Sequence, residues 1–112
     1  MPIANEQLKT YAFLREMQND AYFPPHLVAK GQQILIGLCE AIEDQRPADL
    51  DALYRLTHAA TDRFNDLAEE FYEHDSEIET AARESIGGDF ALIAQAYGFQ
   101  ADIEELIATR DW

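Results

Sequence analysis

Apolar residues recur along this chain at spacings of three and four, and nowhere alternate with polar ones, so the pattern predicts helices throughout. Leu8, Tyr11, Leu14 and Met17 mark a first helix over about residues 3–19. The stretch DAYFPPH ends it, because Pro24 and Pro25 cannot continue a helix but can open the next one. Leu27, Val28, Gly31, Leu35, Leu38 and Ile42 then line one face of a second helix that runs to about Asp44 and stops at Arg46-Pro47. The third helix has the most regular pattern. Leu50, Leu53, Thr57, Ala60, Phe64, Leu67 and Phe71 are spaced 3-4-3-4-3-4, a seam of three heptads. His74-Asp75 breaks this phase, and Ser76 with Glu79 has the spacing of a capping box for a fourth helix carrying Ile78, Ala82, Ile86, Ile93 and Tyr97. Gly98 is placed to terminate that helix, and Ile103, Leu106 and Ile107 fit a short last one. The expected fold is all-α: a single domain over residues 1–112, a bundle of four main helices plus a short C-terminal helix. The heptad seam is read as internal to that bundle; monomer and homodimer both stay open.

The 112 residues suffice for a core without staples. Cys39, the only cysteine, cannot form an internal disulfide, and it lies beside the apolar face of the second helix as a packed small residue. The N-terminal residues lack a basic-then-apolar leader, and no apolar run approaches bilayer length. These features predict a soluble cytoplasmic protein. Phosphate-loop, dinucleotide, zinc-protease and Gly-x-Ser-x-Gly motifs are all absent, so no cofactor and no catalytic residue is expected.

Charge changes the picture most. The formal net charge is −14, and residues 38–112 carry it all. Such a field repels nucleic acid and anionic membrane and attracts basic surfaces. Residues 69–80, EEFYEHDSEIET, are the densest part. Asp75, Glu77 and Glu79 would meet the positive end of the fourth helix dipole. Glu69, Glu70 and Glu73 sit instead where the third helix dipole disfavours them. On a helical wheel His58, Asp62, Asp66, Glu69 and Glu73 form a stripe opposite the seam. A solvated face is the plainest reading of that stripe. The functional reading is a non-enzymatic binding protein whose acidic face, Asp62, Asp66, Glu69, Glu70 and Glu73, engages a basic protein partner. The alternative is a metal-binding bundle or metal-dependent enzyme using His58, His74 and nearby acids, with His26 the remaining histidine. Glu70 and His74 are four apart, not the Glu-x-x-His spacing of di-iron bundles, so no metal ligand set is assigned.

Two further stretches stand out. In IGGDF, residues 86–90, the apolar stripe keeps its phase across two glycines. A continuous or kinked helix would bury Asp89 and make it a candidate functional carboxylate, with a hydrogen bond to a tyrosine or a backbone amide as the structural explanation. A broken helix would make Asp89 an N-cap. On the continuous reading, Asp89→Leu is expected to leave stability level or raised. In YFPPHL, residues 22–27, the aromatic pair is expected to pack on the core ahead of the second helix.

Three segments, YFPPHLVAKGQQILIGLCEAIED, LYRLTHAATDRFNDLAEEF and DIEELIATRDW, resemble a family of small acidic bacterial proteins known as a domain of unknown function. The resemblance spans nearly the whole chain and implies a compact helical domain in the bacterial cytosol. It implies no activity, cofactor or site residue. In size and charge alone the chain also resembles some immunity proteins that plug toxins.

Overall fold

A computed structural model of the chain describes residues 3–112. It is all-helical, with no strand among the described residues. The elements are α1 (Arg15–Gln18), α2 (Pro25–Gln45), α3 (Leu50–Glu73), α4 (Thr80–Ala96) and α5 (Ile103–Leu106). Three helices are long, α1 is the N-terminal member of the bundle, and α5 is the short C-terminal helix.

The boundaries follow local chemistry. Pro25 occupies the first position of α2, where its missing N–H costs nothing. Arg46, in the left-handed conformation, ends that helix, and the Asp49 carboxylate caps α3 by accepting from the Ala52 amide. Only four residues separate α2 from α3, so the two run antiparallel and share the most extensive contact in the molecule. Their paired faces bury Leu27, Leu35 and Leu38 with Leu53, Phe64 and Leu67. Gly31 lets them close up: a Cβ there would lie 2.8 Å from Leu14 Cδ1 and 3.2 Å from Phe64 Cε1. At the end of α4, Gly98 adopts φ +86°, and the Phe99 amide reaches back to the Ala94 carbonyl at 2.9 Å, a Schellman stop.

Three local expectations change. The first helix, predicted over 3–19, is regular only at Arg15–Gln18. The preceding segment instead forms turns, such as Lys9 N–H to the Asn5 carbonyl at 2.9 Å, yet still buries Leu8, Phe13 and Leu14. The apolar spacing reported burial correctly, but burial does not require a continuous helix. Second, the capping box does not form. Ser76 is buried, and its hydroxyl donates to the Tyr22 carbonyl at 3.1 Å; Glu79 sits at the N-cap of α4 without a side-chain cap. The helix starts at Thr80 with Glu79 at its N-cap, so Ser76 lies three residues before the position from which its oxygen could accept from the first-turn amides. Third, Leu50 at the start of the seam is 37% exposed.

The reading of YFPPHL holds for one ring. Phe23 is buried and meets Phe71 edge-to-face at 6.1 Å, whereas Tyr22 stays largely in solvent. The helix across IGGDF is continuous within α4. Gly87 packs against Ile103 and Ile107 of the α5 region, while nothing lies within 4 Å of a Cβ at Gly88.

Candidate functional site

The acidic face belongs to α3. Its buried side is set by the heptad seam, so whatever occupies the opposite side faces water. Asp62, Asp66, Glu69 and Glu73 are exposed there, and none is in an ion pair among the described residues. At 1.5 Å per residue the row extends about 17 Å along the helix. Neighbours three and four apart stand about 5–6 Å from each other and repel, each such pair costing about 0.2–0.5 kcal/mol. Glu70 differs: it is half-buried and receives Lys30 Nζ of α2 at 2.6 Å. With both side chains partly exposed to solvent that pair contributes only about 0–1 kcal/mol. The row ends beside a concavity lined by Glu69, Tyr72, Glu79, Arg83 and Trp112. Tyr72, 67% exposed, is the most exposed large apolar side chain among the described residues.

The histidines separate. His58 is half-buried, stacks on Tyr54 at 5.9 Å, and its Nε2 lies 2.6 Å from the Glu105 carbonyl oxygen, to which it must donate. It ties α3 to the C-terminal segment rather than joining the acidic stripe. His74, at the end of α3, is sixteen residues further on, about 24 Å along the axis, so the two cannot ligate one ion. The antiparallel hairpin brings His26 to His74 instead, with ring centres 5.0 Å apart. Among the described residues no group of three His, Cys, Asp or Glu side chains is arranged to hold a metal ion.

Asp89 is buried at 5% exposure. One oxygen accepts from the Tyr11 hydroxyl at 2.8 Å and the other from the Leu14 amide at 2.7 Å. Both structural partners expected for it, a tyrosine and a backbone amide, are present. Burial pushes its pKa up, and the two hydrogen bonds oppose that without overcoming it. Tyr11 is in turn raised to about 12 by burial and by the Asp89 carboxylate. Leu14 adopts φ 55°, ψ 38°, a left-handed conformation costing a leucine about 1–2 kcal/mol. The charge-assisted bond from its amide to Asp89 compensates that cost.

A second carboxylate, Glu43, holds the same N-terminal segment further upstream. It accepts from the Ala4 amide at 2.9 Å, the Asn5 amide at 3.0 Å and the Tyr97 hydroxyl at 2.5 Å. Desolvation alone would raise Glu43, but those three donors prevail and hold it below the usual glutamate value. Cys39 lies close by, fully buried, its thiol pushed up to about 12 chiefly by burial. Buried and protonated, it is not a nucleophile.

A family model described as "Family of unknown function (DUF5713)" matches residues 7–112. The chain belongs to that family. No curated protein and no solved structure matches it. The resemblance seen in the three quoted segments is therefore real at family level, and the DUF5713 match brings no site residues with it. No helix among the described residues is long and apolar enough to cross a membrane.

Sequence reasoning missed several contacts of this DUF5713 chain. Glu43 carries no local sign of its role, because its partners lie 38, 39 and 54 positions away. The same holds for the C-terminal tether, where Asn65 Nδ2 donates to the Thr109 carbonyl and Asn65 Oδ1 accepts from the Asp111 amide, both at 3.0 Å. Arg83 Nε adds a bond to the Trp112 carbonyl at 3.1 Å, and the indole packs 6.2 Å from Phe64.

Proposed function

We propose that this protein is a non-enzymatic binding protein of the bacterial cytosol, and that the exposed face of α3 meets a basic protein partner; an immunity-protein-like role is one form of that reading. The observation that carries it is the row Asp62, Asp66, Glu69 and Glu73: four exposed carboxylates, unpaired among the described residues, on the side of α3 that the core leaves to solvent. The row costs the free protein stability through repulsion between neighbours and, toward Glu73, through the unfavourable dipole end. A partner that supplies lysine or arginine removes both costs on binding. The net charge of −14 steers such a partner in and turns nucleic acid away. The lone buried thiol of Cys39 suits a reducing compartment.

The test compares the wild-type protein with a variant carrying Asp62→Asn, Asp66→Asn, Glu69→Gln and Glu73→Gln as baits in a lysate of the source cells. One basic protein should be retained at low salt, released at high salt and not retained by the variant. Retention that ignores salt, or that survives the four substitutions, defeats the reading.

A further inference from the structure

We propose that His26 and His74 form a two-histidine site for a first-row transition-metal ion of the zinc, nickel or copper type. The site lies at the open end of the α2–α3 hairpin, next to Glu73 where the acidic row ends, and does not depend on the function proposed for that row. His26 stands in the first turn of α2, just after Pro25; His74 follows the last residue of α3. Because the two helices are antiparallel, the start of one is beside the end of the other, and both imidazoles are exposed. Three features favour a shared ion. The first is separation. Two imidazoles bound to one tetrahedral ion through nitrogens at about 2.0–2.1 Å hold their ring centres about 5 Å apart, and the centres here are 5.0 Å apart, the planes inclined by 68°. The second is tautomer. His74 Nδ1 lies 2.9 Å from the Glu70 carbonyl oxygen and must donate to it, so in the neutral ring the lone pair is on Nε2, available as a ligand. A ring N–H given to a backbone carbonyl is also the usual support behind a metal-bound histidine. The third is the setting. Lys30, one turn beyond His26, is neutralised by Glu70 at 2.6 Å, so it does not oppose a cation at the site. Imidazole ligands select borderline transition metals over magnesium and calcium, and water fills the remaining positions.

This pairing differs from a site built on His58 and His74. His58 commits its Nε2 to the Glu105 carbonyl and lies about 24 Å away along α3. It therefore serves as an internal control. The experiment is a titration of the full chain with nickel, followed by the imidazole proton resonances of the three histidines, with zinc binding measured by calorimetry. Two histidines, assigned to His26 and His74, should broaden together at one equivalent while His58 is unaffected. Zinc affinity should fall more than tenfold in either His26→Gln or His74→Gln and stay unchanged in His58→Gln; even changes behind a metal ligand cost about 10–100-fold. The titration of the wild-type protein stands whether or not a variant folds. Equal broadening of all three histidines, broadening of neither His26 nor His74, or zinc binding that survives both single substitutions overturns the site.

Discussion

Asp89 and Glu43 both fasten the N-terminal segment onto the long helices, yet the same kind of bond has opposite electrostatic consequences in the two places. Asp89, in the middle of α4, accepts two donors and is nearly sealed from water. Glu43, near the end of α2, accepts three donors at a site that stays partly open. Where desolvation is deep, two hydrogen bonds do not offset it and the carboxyl is raised; where it is shallow, three do and the carboxyl is lowered. The pair shows that counting donors does not predict a carboxylate's pKa until burial is known. It also shows why the segment from Ile3 to Leu14 is ordered without being a regular helix. The amides at its two ends, Ala4, Asn5 and Leu14, are satisfied by side chains of α2 and α4, while Leu8, Lys9 and Tyr11 donate to carbonyls of the segment itself in turns.

The largest effect should come from the buried member. Asp89→Leu strands the Leu14 amide and the Tyr11 hydroxyl, and loses the bond that supports the left-handed Leu14. We expect a loss of about 2–3 kcal/mol by chemical denaturation. This differs from the level or raised stability expected from the apolar stripe alone, because the stripe does not reveal the two donors. Asp89→Asn keeps an acceptor for the Leu14 amide and can donate to the Tyr11 oxygen, but it loses the charge that strengthens both bonds, so it should fall between wild type and leucine. If Asp89→Leu is neutral, the clasp contributes nothing and the comparison collapses.

Next, Gly31→Ala should cost about 1–3 kcal/mol, because the new methyl group drives into Leu14 and Phe64. Thermal unfolding checks it. A change below about 0.5 kcal/mol would mean that Leu14 yields easily and is not fixed by Asp89. Smaller still, Glu43→Gln should cost about 1 kcal/mol, since one oxygen remains to accept from the backbone amides. Hydrogen exchange sharpens this: the Ala4 and Asn5 amides should exchange faster in the variant, while the Leu14 amide does not.

The smallest effect is the dependence on pH, and here the two residues have opposite signs. Glu43 has a lowered folded pKa, so its contribution is present above its ordinary 4.5 and is lost as pH falls through the folded value. Asp89 has a raised folded pKa, so its contribution is full below its ordinary 3.8 and is lost as pH rises through the folded value. Stability measured between about pH 3 and 6 should therefore fall less steeply toward acid in Glu43→Gln than in wild type. In Asp89→Asn it should fall more steeply. Parallel shifts of the two variants would show that the carboxylates share one environment.

Much of this was legible in the chain. The heptad seam of α3, the Pro25 start of α2, the stop at Gly98 and the phase carried across IGGDF are local signals. Each rests on a backbone preference or a repeat that three or four neighbouring residues establish. The exposure of Asp62, Asp66, Glu69 and Glu73 follows from the same seam, since one face of a helix being buried places the other in water. The failures have a common cause. The apolar spacing before Met17 marks burial without a continuous helix, and Ser76 with Glu79 has the spacing of a capping box although α4 starts only at Thr80, so where each segment lies against its neighbours overrides the local pattern.

The sequence by itself determined an all-helical, strongly acidic chain, because periodicity and composition are properties of neighbours; it left Asp89 open between a buried carboxylate in a continuous helix and the cap of a broken one. Only the tertiary structure decided which groups meet: His26 with His74 and not His58, Glu43 with Ala4, Asn5 and Tyr97, Asp89 with Tyr11 and Leu14. Those pairings depend on how the α2–α3 hairpin closes and where the N-terminal segment lies across it. Both are set by packing among residues tens of positions apart, and no local preference encodes them.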